Sequence, residues 1–227
     1  MKGSVLVTGG ARRIGRAICE ALTARGWRVL AHSRDPGNPL CADFLRPDGA
    51  DRLFAAALAQ APDLCAVVNN AAVFSTAADL PPAEAAALRA VNVEAPVRLA
   101  ELLASHLAKR HAAGAVVNLL DTRVLGEGHT RLAPYAASKL ELARATVAQA
   151  RRLAPALRVN GVAPGPVLPP TAVANREKGG AILLPRRPAP ADVASAVAFL
   201  LEAEAVTGQI LAVDSGQSLL RAELMVY

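Results

Sequence analysis

Tyr135-Ala-Ala-Ser-Lys139 carries the most specific chemistry in the chain. On a helix, residues four apart share a face, so Lys139 can bring its cation close to the Tyr135 phenol. A nearby positive charge favours phenolate, which predicts a Tyr135 pKa shifted down toward neutral pH and a phenol ready for proton exchange. A second constellation, Thr8-Gly-Gly-Ala-Arg-Arg-Ile-Gly15, lies between the apolar run Val5–Thr8 and a helical pattern that follows it. Glycines there permit a tight turn and close backbone approach to a pyrophosphate, and the helix start offers N–H groups and the positive end of its dipole. At the end of the next apolar run stands His32-Ser33-Arg34, with Arg12 and Arg13 in the preceding turn. A site for an unphosphorylated ribose uses Asp or Glu there, whereas arginine grips a 2′-phosphate bidentately. The expected cofactor is therefore NADPH, held by Gly9, Arg12, Arg13, Ile14, His32, Ser33 and Arg34. Asp35, one residue further out, is the dissenting charge.

These residues need a scaffold, and the apolar pattern supplies one. Strand-like runs occur at 4–8, 28–32, 64–69, 115–120, 158–163 and 209–213. Helical patterns follow at 14–25, 48–60, 83–109 (interrupted around Pro96), 135–153 and 191–201. Short runs apolar on both faces, separated by helices, predict a single-domain α/β fold: a Rossmann-like, doubly wound parallel sheet flanked by helices. The proline-rich stretch 164–190 is the irregular part and suits a loop over the substrate.

Composition agrees. Of 227 residues, 53% are hydrophobic and 19% charged, which excludes a disordered chain. Aromatics make up only 3%, so the core must be aliphatic and alanine-rich. The net charge of +6 comes without a basic run longer than a pair, which argues against a nucleic-acid surface and for a positive cofactor pocket. Cys19, Cys41 and Cys65 form no CxxC and read as reduced thiols. No membrane span or signal peptide is evident, so the expectation is a soluble, cytoplasmic protein.

The ordered set Thr8–Gly15, Asp43, Asn69-Asn70-Ala71, Asn92, Tyr135–Lys139, Pro164-Gly165 and Thr207-Gly208-Gln209 resembles the short-chain dehydrogenase/reductase family over nearly the whole chain. That resemblance implies further roles. Asp43 would bond the adenine amino group. Asn69 and Ala71 would line the ribose, with Pro164 and Gly165 also at the cofactor. Asn92 would hold a backbone kink and a water behind the lysine. Dimers through the long helix 135–153 and its neighbour 95–109 would build a homotetramer.

Most members carry a serine at the end of the fifth strand. Counting from the strand puts Asp121 there; counting back from Tyr135 puts Thr122 there. An ionised carboxylate would oppose charge growing on a ketone oxygen, but it suits a ring presenting N–H donors. With Asp121 the pattern resembles the pteridine reductases and bacterial dihydromonapterin reductases. Arg13 in the glycine turn, the basic end at 32–34, and Phe74, placed to stack on a pterin, agree with that likeness. Ala72 departs from it, where those enzymes carry a substrate-contacting serine, and Asp214-Ser215-Gly216 replaces Asp-Gly-Gly. His129 lies between Asp121 and Tyr135. The expected activity is NADPH-dependent reduction of a pterin-like substrate, with Asp121, Tyr135, Lys139 and Asn92 catalytic and no metal. The alternatives are a generic short-chain carbonyl reductase acting on 3-oxoacyl thioesters, with Thr122 in the serine's place, and a non-catalytic NADPH-binding regulator.

Overall fold

Each strand alternates its apolar side chains between two separate cores. In β1 (Ser4–Val7), Leu6 enters one core while Val5 and Val7 enter the other. The same alternation holds in β3 (Leu64–Asn69), where Val67 faces the first core and Ala66 and Val68 the second. A strand apolar on both faces must be covered on both, and helices do so. The structure, a computed structural model, describes residues 2–125, 133–167 and 180–220. The loop 126–132, with His129, and residues 168–179 of the expected substrate loop lie outside the described residues.

The remaining strands are β2 (Arg28–Ala31), β4 (Gly114–Leu119), β5 (Leu157–Pro164) and β6 (Ile210–Val213). All six pair in parallel, in the order β2-β1-β3-β4-β5-β6. Helices α2 (Gly49–Gln60), α4 (Ala95–Lys109) and α5 (Pro134–Leu153) cover the face that carries Leu6, Val67 and Val116. Helices α1 (Arg13–Ala24) and α6 (Pro190–Glu202) cover the opposite face. The chain is one Rossmann-like α/β domain, as the apolar pattern predicts. The order reverses between β1 and β3, the place where open α/β sheets bind ligands beyond their strand ends. No helix among the described residues is long and apolar enough to cross a membrane.

One element differs from expectation. The long helical pattern is broken not at Pro96 but by a π-helical turn, Ala90–Glu94, between α3 (Pro82–Arg89) and α4. Pro96 sits in the first turn of α4, where proline is tolerated.

Candidate active site

The glycine turn is set by contacts that leave no room for side chains. A Cβ on Gly15 would come within 2.1 Å of the Gly9 carbonyl oxygen, and Gly9 itself holds a φ of +64° against the backbone of Ala71. Arg13 adopts φ +53°, a left-handed conformation that L residues other than glycine rarely take. Thr8 and Asn70 lock the turn to the end of β3. Asn70 and Ala71 each donate a backbone N–H to Thr8 Oγ1 at 3.0 Å. Asn70 Nδ2 in turn donates to the carbonyls of Thr8 and Gly9 at 2.9 and 3.0 Å. Arg12, Arg13 and Arg16 line an open hollow of about 460 Å³ beside the turn, together with Glu20 and Pro190. Ile14 is half-buried on the first turn of α1.

His32 does not contribute the expected positive charge. Its ring is 2% exposed; Nδ1 accepts from the Gly9 N–H at 3.3 Å, and Nε2 lies 3.0 Å from the Ala42 carbonyl. Those partners require the neutral tautomer with its proton on Nε2, and burial pushes the ring's pKa down. It braces the turn instead. Arg34 is exposed, while Asp35 folds its carboxylate back to accept from Gly37 N at 3.0 Å. Ser33 Oγ accepts from Asp35 N. Asp43 uses its carboxylate in a turn, accepting from Leu45 N at 3.1 Å.

Asn69 turns its amide into the fold, donating to Asn118 Oδ1 at 2.8 Å, and Asn118 donates on to Thr146 Oγ1 at 2.9 Å. Its side chain therefore joins β3 to β4 and α5, which leaves its backbone to line the expected ribose. Pro164 ends β5, and Gly165 lies so close to Asp214 that a Cβ would meet it at 2.8 Å. The Asp214 carboxylate accepts from Gly216 N and Ser218 N, and Ser215 stands at φ +56° where a second glycine was expected.

At the ends of β3 and β4 four side chains meet. Asp121 caps a 3₁₀ helix, Thr122–Val124, its Oδ1 accepting from Arg123 N at 2.9 Å. Lys139 is buried and donates from Nζ to the Leu119 carbonyl at 2.7 Å, with that nitrogen 5.9 Å from the centre of the Tyr135 ring. Phe74 meets Tyr135 edge to face, centroids 4.8 Å apart at 74°. Thr122, the other candidate for the family serine, is 2% exposed, whereas the Asp121 side chain is 16% exposed.

The electrostatics overturn one expectation. Tyr135 is shifted up, not down: burial is the main cause, the Asp121 carboxylate adds to it, and Arg123 partly offsets both. Lys139 is itself desolvated, its pKa lowered from 10.5 to about 8, with Asp121 opposing the shift. The phenol is thus held as a neutral proton donor beside a buried cation.

Asn92 occupies the π-helical turn, as the expected kink requires, and its amide bonds to Val73 and Ser138. Oδ1 accepts from Val73 N at 2.8 Å; Nδ2 donates to the Val73 carbonyl at 2.9 Å and to Ser138 Oγ at 3.1 Å. Ser138 donates to the Tyr135 carbonyl at 2.7 Å. Asn92 therefore fixes the segment carrying Phe74 against the helix carrying Tyr135, and is a positioning residue. Arg123 was missed by sequence reasoning. Its guanidinium lies 5.4 Å from the Tyr135 ring centre and 5.7 Å from that of Phe74. Its place two residues past Asp121 was the available signal.

The arrangement can orient a flat ring against Phe74, deliver a proton from Tyr135, and accept an N–H at Asp121. Beside it, a turn packed too tightly for a Cβ at Gly9 or Gly15 and a hollow lined by Arg12, Arg13 and Arg16 fit a phosphorylated dinucleotide.

The chain is similar to known proteins. Residues 9–218 match the family model described as Enoyl-(Acyl carrier protein) reductase. A dihydromonapterin reductase from Citrobacter koseri is 30% identical, covering 95% of this chain and 96% of its own. The crystal structure of FolM Alternative dihydrofolate reductase 1 from Brucella canis, complexed with NADP, superposes with a TM-score of 0.82 at 33% identity, covering 96% and 94% of the two chains. A 3-ketoacyl-(acyl-carrier-protein) reductase from Brucella melitensis, complexed with NADH, gives 0.84 at 26% identity, covering 95% and 98%. With the ordered motifs, the parallel sheet and the Tyr135–Lys139 helix in place, the chain belongs to the short-chain dehydrogenase/reductase family.

Proposed function

We propose that this protein is an NADPH-dependent reductase of a pterin-like substrate. The observation that carries the reading is the Asp121 carboxylate at the end of β4, close enough to shift both Tyr135 and Lys139. Its Oδ1 is occupied by Arg123, and among the described residues Oδ2 meets no donor. A carboxylate left half-satisfied beside a proton donor suits a substrate that brings its own N–H groups. The relatives named for dihydromonapterin and dihydrofolate reduction support the same class.

NADPH would supply the hydride when bound across the strand ends. Gly9, Arg13 and Ile14 would hold its pyrophosphate, and Arg12, Ser33 and Arg34 its 2′-phosphate. Asp43 would reach the adenine. Ala71 would border one ribose and Tyr135 and Lys139 the other, with Pro164 and Gly165 beside the nicotinamide. Phe74 would stack on the substrate ring. Asp121 Oδ2 would accept a ring N–H and so fix the ring's orientation. As a C=N bond gains hydride at carbon, the Tyr135 O–H would give its proton to nitrogen. Lys139 would stabilise the resulting phenolate, which solvent reprotonates. Outward faces of α4 and α5 would bury against a second copy in a homotetramer, and a monomeric mass in sedimentation would overturn that assembly.

The experiment is a pair of variants on two substrate types. Asp121→Ser should cut dihydropterin reduction by roughly 10²- to 10⁴-fold, the range of a positioned acid or base. A ketone substrate should hold level or gain, because a neutral donor replaces a repulsive charge at the developing oxyanion. The second reading, a 3-oxoacyl thioester reductase, is favoured by the Brucella melitensis likeness. It expects the reverse: a silent Asp121→Ser and a Thr122→Ala that abolishes turnover. Retained NADPH binding with no turnover of any substrate would favour a regulator.

A further inference from the structure

The rim above Asp121 holds a cation whose contacts do not use all of its donors. Arg123 reaches Asp121 Oδ1 with Nε at 3.3 Å. Its guanidinium sits against two ring faces, Phe74 and Tyr135. Phe74 is 50% exposed and the Arg123 side chain 45%, while Tyr135 is 8% exposed. The reactive phenol is therefore deep and the arginine is at the mouth. Among the described residues, no acceptor faces the terminal Nη1–Nη2 edge. That edge is a planar pair of donors matched to a carboxylate or phosphoryl group. The aromatic contacts hold the plane in place by cation–π attraction, and the Nε contact fixes which edge turns outward.

Arg123 and Phe74 are the exposed members of this group, so a ring seated at Asp121 and Tyr135 would have its side chain leave beside them. We propose that Arg123 is the specificity-determining residue for that side chain, receiving a carboxylate and so favouring pteridines with an acidic tail over those with a neutral polyol. This rests on the pteridine reading above. An arginine serving only to neutralise Asp121 would face that carboxylate with two parallel N–H groups; here it approaches with Nε alone, and the Oδ1 it approaches already accepts a backbone N–H.

The test compares dihydrofolate with dihydromonapterin under saturating NADPH in the unchanged protein, Arg123→Leu and Arg123→Lys. Measuring both substrates on one preparation cancels any difference in folded fraction. Arg123→Leu should lower the ratio of kcat/KM, dihydrofolate over dihydromonapterin, by about 10- to 100-fold, the effect of losing hydrogen bonds to a charged group. The loss should fall on KM for dihydrofolate. Arg123→Lys should restore part of it, keeping the charge without the fork. An unchanged ratio overturns the proposal, because Arg123 would then act only through Asp121 and Tyr135. Acetoacetyl coenzyme A, included as a phosphate-bearing substrate, overturns the carboxylate assignment if it alone loses to Arg123→Leu. If the unchanged protein turns over neither pteridine, the function proposed above falls. Calorimetric binding of folate to the NADP-loaded protein then decides Arg123: weaker binding in Arg123→Leu supports it, and equal or absent binding overturns it.

Discussion

The two ends of the sheet's ligand edge are built on different principles. The nucleotide end, over β1, β2 and the start of α1, is defined by backbone: Gly9 and Gly15 in mutual contact, Arg13 in a left-handed conformation, and His32 buried as a brace. The catalytic end, over β3 and β4, is defined by side chains placed one at a time by neighbours, as Asn92 places Val73 and Ser138. Backbone architecture tolerates little substitution but leaves its charged periphery free to vary. Side-chain architecture allows chemistry to change by single substitutions while the fold stays.

This contrast can be broken by experiment. The largest effect expected is at the catalytic end: Tyr135→Phe should reduce turnover by roughly 10²- to 10⁴-fold, with NADPH affinity falling by no more than about 10-fold, the loss of one ribose contact. Parallel loss of NADPH affinity in a fluorescence titration would contradict the separation of the two ends. On the charged periphery, Arg34→Asp should weaken NADPH by about 2–4 kcal/mol, removing a charge-assisted contact and adding repulsion. Equal kcat/KM for NADPH and NADH in the unchanged protein would remove the basis for it.

Within the turn itself, Gly15→Ala should cost about 3 kcal/mol of stability, because the added methyl meets a carbonyl that cannot move away. A melting temperature within a degree of the unchanged protein would show the turn to be softer than its contacts imply. A comparable effect on stability comes from the titration of Lys139. Its pKa is about 8 in the fold against 10.5 in an open chain. Between those values the unfolded chain holds the extra proton, so stability should rise with pH from about 8 to about 10.5. Over the same rise turnover should fall as the cation is lost. Urea midpoints that fail to flatten over that window in Lys139→Met would assign the slope to another group.

Much of this was legible in the residues. Strand bounds read from apolar runs fall within one residue of those observed, because a strand buried on both faces can hold almost nothing else. Counting from the strand picked out Asp121, which lies two residues past the end of β4 and caps the turn that follows. What stayed hidden depends on partners distant in sequence. Nothing local says that Asn69 turns inward to Asn118, or that His32 is neutral between Gly9 and Ala42. The upward shift of Tyr135 escaped for a similar reason: i, i+4 spacing signals proximity to Lys139, but desolvation depends on everything packed around the phenol.

The π-helical turn at Ala90–Glu94 also bears on which length changes this chain can tolerate. Such a turn accommodates one residue more than an α-helical turn does. Deleting one residue there would yield a regular helix, locally better bonded than before. The flanking helices would keep their register, because the turn absorbs its extra residue locally. Leu99, Leu103 and Leu107 would stay buried against the sheet. What would go is the alignment of Asn92 with Val73 and Ser138. A one-residue deletion within 90–94 should therefore leave the fold standing and loosen the segment that carries Phe74 against the helix that carries Tyr135.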